Sequence, residues 1–199
     1  MEIFPLIYIK NRKTRDAIDG NLLSISDLPE LSDDYMFYIK DFDGIEKDAS
    51  NLETYQKISN KSNIWVDSGP RTFGDVVDII MAGASRITIM RNLFPMKEIL
   101  NVKDVSDSMI YINADLEKEK DILFDPPLGI DGFIIFNDRN QIESDFKTGE
   151  LLKTICIKYK VYVVETDQKN ISYWKELGVA GVLLNFDKFK SVNKDDFRN

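Results

Sequence analysis

The 199-residue chain contains no histidine. That omission removes Ser-His-Asp and Cys-His catalysis, histidine-ligated zinc and any imidazole acid–base step. Chemistry then falls to carboxylates, Lys, Tyr, Ser/Thr or the single cysteine, Cys156. Cys156 lies in the apolar pattern Leu151, Leu152, Ile155, so it is expected to be a buried structural thiol and not a nucleophile. Acids are better placed. Asp115 in Ile112-Asn113-Ala114-Asp115, and Asp41 and Asp43 in Tyr38-Ile39-Lys40-Asp41-Phe42-Asp43-Gly44, each follow an apolar run. Asp115 and Asp41 are therefore the candidate catalytic residues, with a solvated turn acid and a helix-capping acid as the competing readings. The Asp-Phe-Asp-Gly run fails calcium-loop spacing, because Ile45 stands where a ligand belongs. No metal site and no cofactor is read from the sequence.

The candidate substrate-binding residues are Asp67, Gly69, Arg71, Thr72 and Arg91. Gly69 would let a backbone approach closely, and Thr72 opens a helix whose free N–H groups favour an anion. Arg71 and Arg91 would add charge-assisted hydrogen bonds. Surface ion pairing with acids such as Asp67 or Asp41 is the alternative for both arginines. Trp65 and Trp174 are expected to be packing groups.

These residues need elements to hold them. Eight β-rich runs occur at 3–9, 36–40, 63–67, 86–90, 109–113, 132–136, 161–165 and 181–185. Most are continuously apolar, as suits strands buried on both faces of a parallel sheet. Helical patterns lie between several of them. Ser50-Asn51-Leu52-Glu53 reads as a capping box opening a helix with Tyr55 and Ile58. Thr72 caps another, carrying Val76, Val77, Ile80 and Met81 and stopped by Gly83. Ile171, Trp174 and Leu177, stopped by Gly178, form a third. The fold class is α/β: one (β/α)8 TIM-type barrel domain over residues 1–199. The links after the first and fifth strands are thin, so their outer helices are expected to be reduced or missing. Ile122, Leu123, Phe124 and Leu128, in the fifth link, are candidates to cover the barrel or to join a partner, and a homodimer is expected.

The segment Asp41–Asp48 recurs 97 positions later as Asp138–Asp145, with five of eight positions identical or Asp/Asn exchanges. That offset is near half the chain and marks two half-barrels. The formal net charge of −8 and pI near 4.7 argue against nucleic acid and anionic membrane as partners and leave a small anionic metabolite. No run approaches the roughly 18 apolar residues of a membrane span, and Met1-Glu2-Ile3 lacks a basic leader. One cysteine excludes an internal disulfide, and the chain reads as cytoplasmic.

Phe4-Pro5-Leu6-Ile7, the Tyr38–Gly44 run, Asp67-Ser68-Gly69-Pro70-Arg71-Thr72 and Met81-Ala82-Gly83-Ala84 resemble the histidine-biosynthesis barrels. These are the phosphoribosylformimino-aminoimidazole carboxamide ribotide isomerase and its cyclase relative. The chain is most similar to a divergent archaeal, isomerase-related branch. The resemblance covers most of the chain and is strongest from about Met36 to Asn92. It implies an eightfold barrel with half-barrel symmetry, with aspartates ending strands one and five as acid and base, and two phosphates held by turns after strands three and seven. Here Asp115 matches the strand-five acid, but Tyr8 stands at the strand-one position. The turn after strand seven reads Glu165-Thr166-Asp167-Gln168, with no glycine and two acids, and strand eight ends in Asn185-Phe186-Asp187. The expected function is an isomerase-like reaction on a small phosphorylated or carboxylated metabolite, not the histidine-pathway step. A metabolite-binding or assembly protein on a decayed scaffold, and a metal-dependent lyase or aldolase using Asp41, Asp43 and Asp115, are the alternatives.

Overall fold

Eight parallel strands close on themselves in a computed structural model that describes residues 1–31, 35–137 and 139–191. They are β1 (Glu2–Lys10), β3 (Met36–Asp41), β4 (Asn63–Asp67), β5 (Ala84–Met90), β6 (Met109–Ala114), β7 (Gly132–Ile135), β8 (Lys160–Glu165) and β9 (Gly181–Asn185). Each pairs with the next, and β9 returns to β1 with Phe4 opposite Leu183. A short strand β2 (Lys13–Arg15) folds back antiparallel on the end of β1. Helices fill the crossovers: α1 (Phe42–Lys47), α2 (Leu52–Ser59), α3 (Phe73–Met81), α4 (Ile99–Val105), α5 (Lys120–Phe124), α6 (Arg139–Ser144), α7 (Phe146–Lys158) and α8 (Ile171–Glu176). A last turn, α9 (Phe186–Phe189), follows β9.

Alternation along each strand sorts side chains into two cores. Outward residues such as Ile39, Val66, Ile87, Ile112 and Val182 pack under the helices. Inward residues are unusually aromatic: Phe4, Tyr38, Trp65, Tyr111 and Tyr162 interlock inside the barrel. Trp65 stands with its ring centroid 4.2 Å from Tyr111 and 4.9 Å from Tyr162. The lumen is thus a packed core and not a pore. Its N-terminal end is closed by Arg86, which donates to the Tyr162 hydroxyl at 3.0 Å and lies over the rings of Phe4 and Trp65. Both tryptophans are fully buried packing groups.

The thin links are thin in the structure. Between β1 and β3 stand only β2 and a single 3-10 turn, Ile25–Asp27, among the described residues. Between β6 and β7 the helix α5 has five residues. The repeat is also visible in the elements, since α1 and α6 occupy the same places 97 residues apart and each is followed by a second helix. Asp138, the counterpart of Asp41, lies outside the described residues. One close approach explains a glycine: a Cβ on Gly132 would come 2.0 Å from the Lys160 carbonyl oxygen, where β7 meets β8.

One helix start differs from expectation. The N-cap of α2 is Asn51, and neither it nor Ser50 caps through its side chain. The Asn51 amide turns back to Asp41 instead, because that buried carboxylate offers it a charged acceptor. Thr72 and Asp75 do form a full capping box on α3.

Candidate functional site at the C-terminal mouth

Side chains that alternate inward at the strand ends meet above the aromatic core. Lys40 on β3 lies opposite Asp67 on β4 in the strand register, and its ammonium reaches one Asp67 oxygen at 3.3 Å. The two side chains are 12% and 0% exposed. The same oxygen accepts the Tyr38 hydroxyl at 3.0 Å. Thr88 Oγ1 lies 3.3 Å from the Tyr38 oxygen and accepts Trp65 Nε1–H at 2.9 Å. With the Tyr38 proton committed to Asp67, the Thr88 hydroxyl supplies its own proton to Tyr38. Burial, with the Asp67 charge beside it, pushes the Tyr38 phenol well above its ordinary pKa, so it remains a donor. The other Asp67 oxygen, Oδ1, is buried with no hydrogen-bond partner among the described residues.

Lys40 also places its ammonium 3.4 Å from the Phe136 ring centroid. Phe136 follows β7, which stands opposite β3 in the eight-strand order, so this side chain crosses the mouth. On the β9 side the Tyr8 hydroxyl donates to Asn185 Oδ1 at 2.9 Å, and its ring stacks on Phe42. Burial first, and then the Asp187 charge, raise the Tyr8 pKa, so Tyr8 is a neutral phenol here. Asp187 holds Lys188 at 3.0 Å through one oxygen, while the other is buried without a partner among the described residues.

Of the residues proposed from the sequence, Asp67 faces this mouth and the others are engaged elsewhere. Asp41 alternates to the outside of the barrel, paired with outward Ile9, and is fully buried under α1 and α2. It accepts the N–H groups of Asp43, Gly44 and Asn51, the Asn51 amide and the Tyr55 hydroxyl, which leaves it no capacity for substrate. Asp115 caps its own turn, accepting N–H from Glu117 at 2.9 Å and Lys118 at 3.1 Å and pairing with the Lys118 ammonium. Partial burial raises its pKa, but those hydrogen bonds and the Lys118 charge outweigh it and leave a weakened base. Asp41, Asp43 and Asp115 do not gather, and no three metal-ligating side chains meet among the described residues.

The expected anion cradle after β4 is closed by the protein itself. The Asp75 carboxylate accepts the N–H groups of Arg71 at 2.8 Å and Thr72 at 2.9 Å. The Arg71 guanidinium turns to the end of α1, donating to the carbonyls of Gly44, Ile45 and Gly69 and to Asp48. Arg91 is exposed and pairs with Asp121. Gly69 does adopt a left-handed φ of 62°, which a side chain would strain. The turn after β8 is closed in the same way, because Glu165 accepts N–H from Thr166 at 2.6 Å and Asp167 at 2.9 Å. Its other oxygen takes Trp174 Nε1–H at 2.8 Å. Cys156 is half-buried, and burial pushes its thiol up to about 12, which makes it inert.

Lys40, Tyr38, Thr88 and Asn185 face this mouth and are not among the site residues expected from the sequence. Their signal was parity: Lys40 is the charged residue that breaks an apolar run one step before Asp41, and in a strand that step is the opposite face. No protein-family model and no curated protein matches this sequence.

Proposed function

We propose that the chain is an isomerase-like barrel protein, distinct from the histidine-pathway enzyme it resembles, that takes a small carboxylated metabolite at the C-terminal mouth. Asp67 would be the proton-transfer group and Lys40 the cation that faces developing negative charge. The observation that carries this reading is the unpartnered Oδ1 of a fully buried Asp67, at the strand end where such barrels keep their chemistry. Tyr38, with Thr88 behind it, and Lys40 hold the other oxygen in place, so Oδ1 is the acceptor left without a protein partner among the described residues. A carboxylate is favoured over a phosphate because Asp75 and Glu165 already fill the turns where phosphates were expected. Those two closures also favour a second reading, a non-catalytic metabolite-binding or assembly protein on the same scaffold.

The test follows carbon-bound hydrogen by NMR in D2O, with the full chain and a set of small hydroxy and keto acids. Deuterium should enter next to the carbonyl of at least one of them. Asp67→Asn should slow that exchange at least 10²-fold, the lower scale for a general acid or base, while Asp115→Asn leaves it within a few-fold. Amide shifts at the ends of β3 and β4 without exchange would favour the binding protein. The absence of both shifts and exchange would overturn a site at this mouth.

A further inference from the structure

An open cavity, about 460 Å3 in volume, lies on the outer wall between the β1–β2 turn, residues 22–26 and α2. It occupies the stretch between β1 and β3 where the barrel has no α-helix among the described residues. A volume of this size suits a small molecule. Two features give it a chemical character. Arg12 and Lys13 line it, and neither side chain has a hydrogen bond or ion pair among the described residues, in a chain of net charge −8. By contrast, Arg15, Arg71, Arg86, Arg91 and Arg139 all have partners. The third lining cation, Lys57, is paired with Glu53.

The turn that presents Arg12 is costly to form. Asn11 and Arg12 both have positive φ, 53° and 59°, conformations that disfavour any residue with a Cβ. Asp43 holds them there by accepting both N–H groups, at 2.9 and 2.7 Å. Beside the cations the lining turns apolar, with Leu22 57% exposed and Ile25 half-buried. The Ser24 and Ser26 hydroxyls, 2.6 Å apart, add polar capacity at the same wall. Unpaired positive charge next to uncovered apolar surface calls for an anion with an apolar body.

We propose that this cavity is a second ligand site for a small organic acid, its acid group held by Arg12 and Lys13 and its apolar body laid on Leu22 and Ile25. The guanidinium fork suits carboxylate and phosphate alike, so the acid group is identified by the test. The site stands apart from Lys40 and Asp67, and its fate is independent of the reading of the mouth.

The full chain is titrated calorimetrically and by amide NMR with hexanoate, octanoate, octyl phosphate, octylamine and inorganic phosphate. One of the two octyl acids, or both, should saturate a single site, with shifts confined to residues 11–14, 22–26 and 54–57. Octanoate should bind on the order of ten-fold more tightly than hexanoate, from two further buried methylenes. Arg12→Met with Lys13→Met, which keeps the stems, should weaken binding at least ten-fold, while Lys40→Met leaves it unchanged. Leu22→Asn should flatten the dependence on chain length. Octylamine binding as well as octanoate, inorganic phosphate matching octyl phosphate, or a double variant that binds like the parent would each overturn the proposal.

Discussion

Asp41 and Asp67 end neighbouring strands and are both fully buried, yet Asp67 leaves one oxygen without a partner among the described residues while Asp41 is saturated. Asp41 collects three backbone N–H groups, an amide and a phenol. Alanine there leaves those donors buried without an acceptor, at roughly 1 kcal/mol or more each. Asp41→Ala should therefore lose at least about 3 kcal/mol in urea denaturation, and a loss below 1 kcal/mol would return Asp41 to the functional candidates. Asp43 adds a pH dependence. Burial raises its pKa, but the Lys47 ammonium, the N–H groups of Arg12 and Asn11, and Asn51 outweigh burial and lower it to about 2. A depressed carboxylate stabilises the fold above its unfolded pKa and loses that contribution as pH falls through the folded value. On the order of 1 to 2 kcal/mol should disappear between about pH 4 and pH 2, and Asp43→Asn should remove that slope from the pH–stability curve. A slope unchanged in the variant would assign acid lability to other groups.

At the scale of elements, Arg71 links the end of α1 to the turn between β4 and α3, and that is a structural task. Its guanidinium meets the carbonyls of Gly44 and Ile45 at 3.1 and 3.0 Å, and α1 otherwise ends on left-handed Asp48. Arg71→Ala should cost about 1 to 2 kcal/mol of stability and leave affinity for phosphate or sulfate unchanged. Thermal melts with and without sulfate separate these effects, and a selective loss of anion binding would restore the anion-binding role. The strands were legible because burial on both faces writes a continuous apolar run, and every one of the eight runs is a barrel strand. α3 was legible because Thr72 caps an apolar helical repeat through Val76 and Ile80 that Gly83 stops. The site was less so. Arg71, Thr72 and Asp115 have the composition of a ligand site; Thr72 and Asp115 are taken up by local caps, whereas Arg71 meets Gly44 and Ile45, which no local pattern announces. Lys40 meeting Asp67 is a cross-strand register, visible only once β3 and β4 are paired.

The whole molecule is a closed barrel with two thinly covered flanks, one between β1 and β3 and one between β6 and β7. α5, five residues long, stands where a full helix would cover the barrel between β6 and β7, and the side chains there divide. Ile122 and Leu123 are buried against the barrel, whereas Phe124 and Leu128 are 61% and 77% exposed. Leu100 of α4, 48% exposed, lies beside this link, since a Cβ on Gly129 would come 3.3 Å from its side chain. Apolar area of this kind is seldom left open on a monomer, and a closed two-fold contact is the commonest way for identical chains to cover it. A second copy of this chain is the partner that needs no further component. Sedimentation equilibrium should show a monomer–dimer equilibrium that shifts with concentration. Phe124→Glu with Leu128→Glu should give a monomer with an unchanged circular dichroism spectrum, because neither side chain contributes to the core. The same variant should retain deuterium exchange at the mouth, whose Lys40–Asp67 pair is built within one barrel. A parent chain that sediments as a monomer at every concentration would leave Phe124 and Leu128 as exposed residues with no partner role.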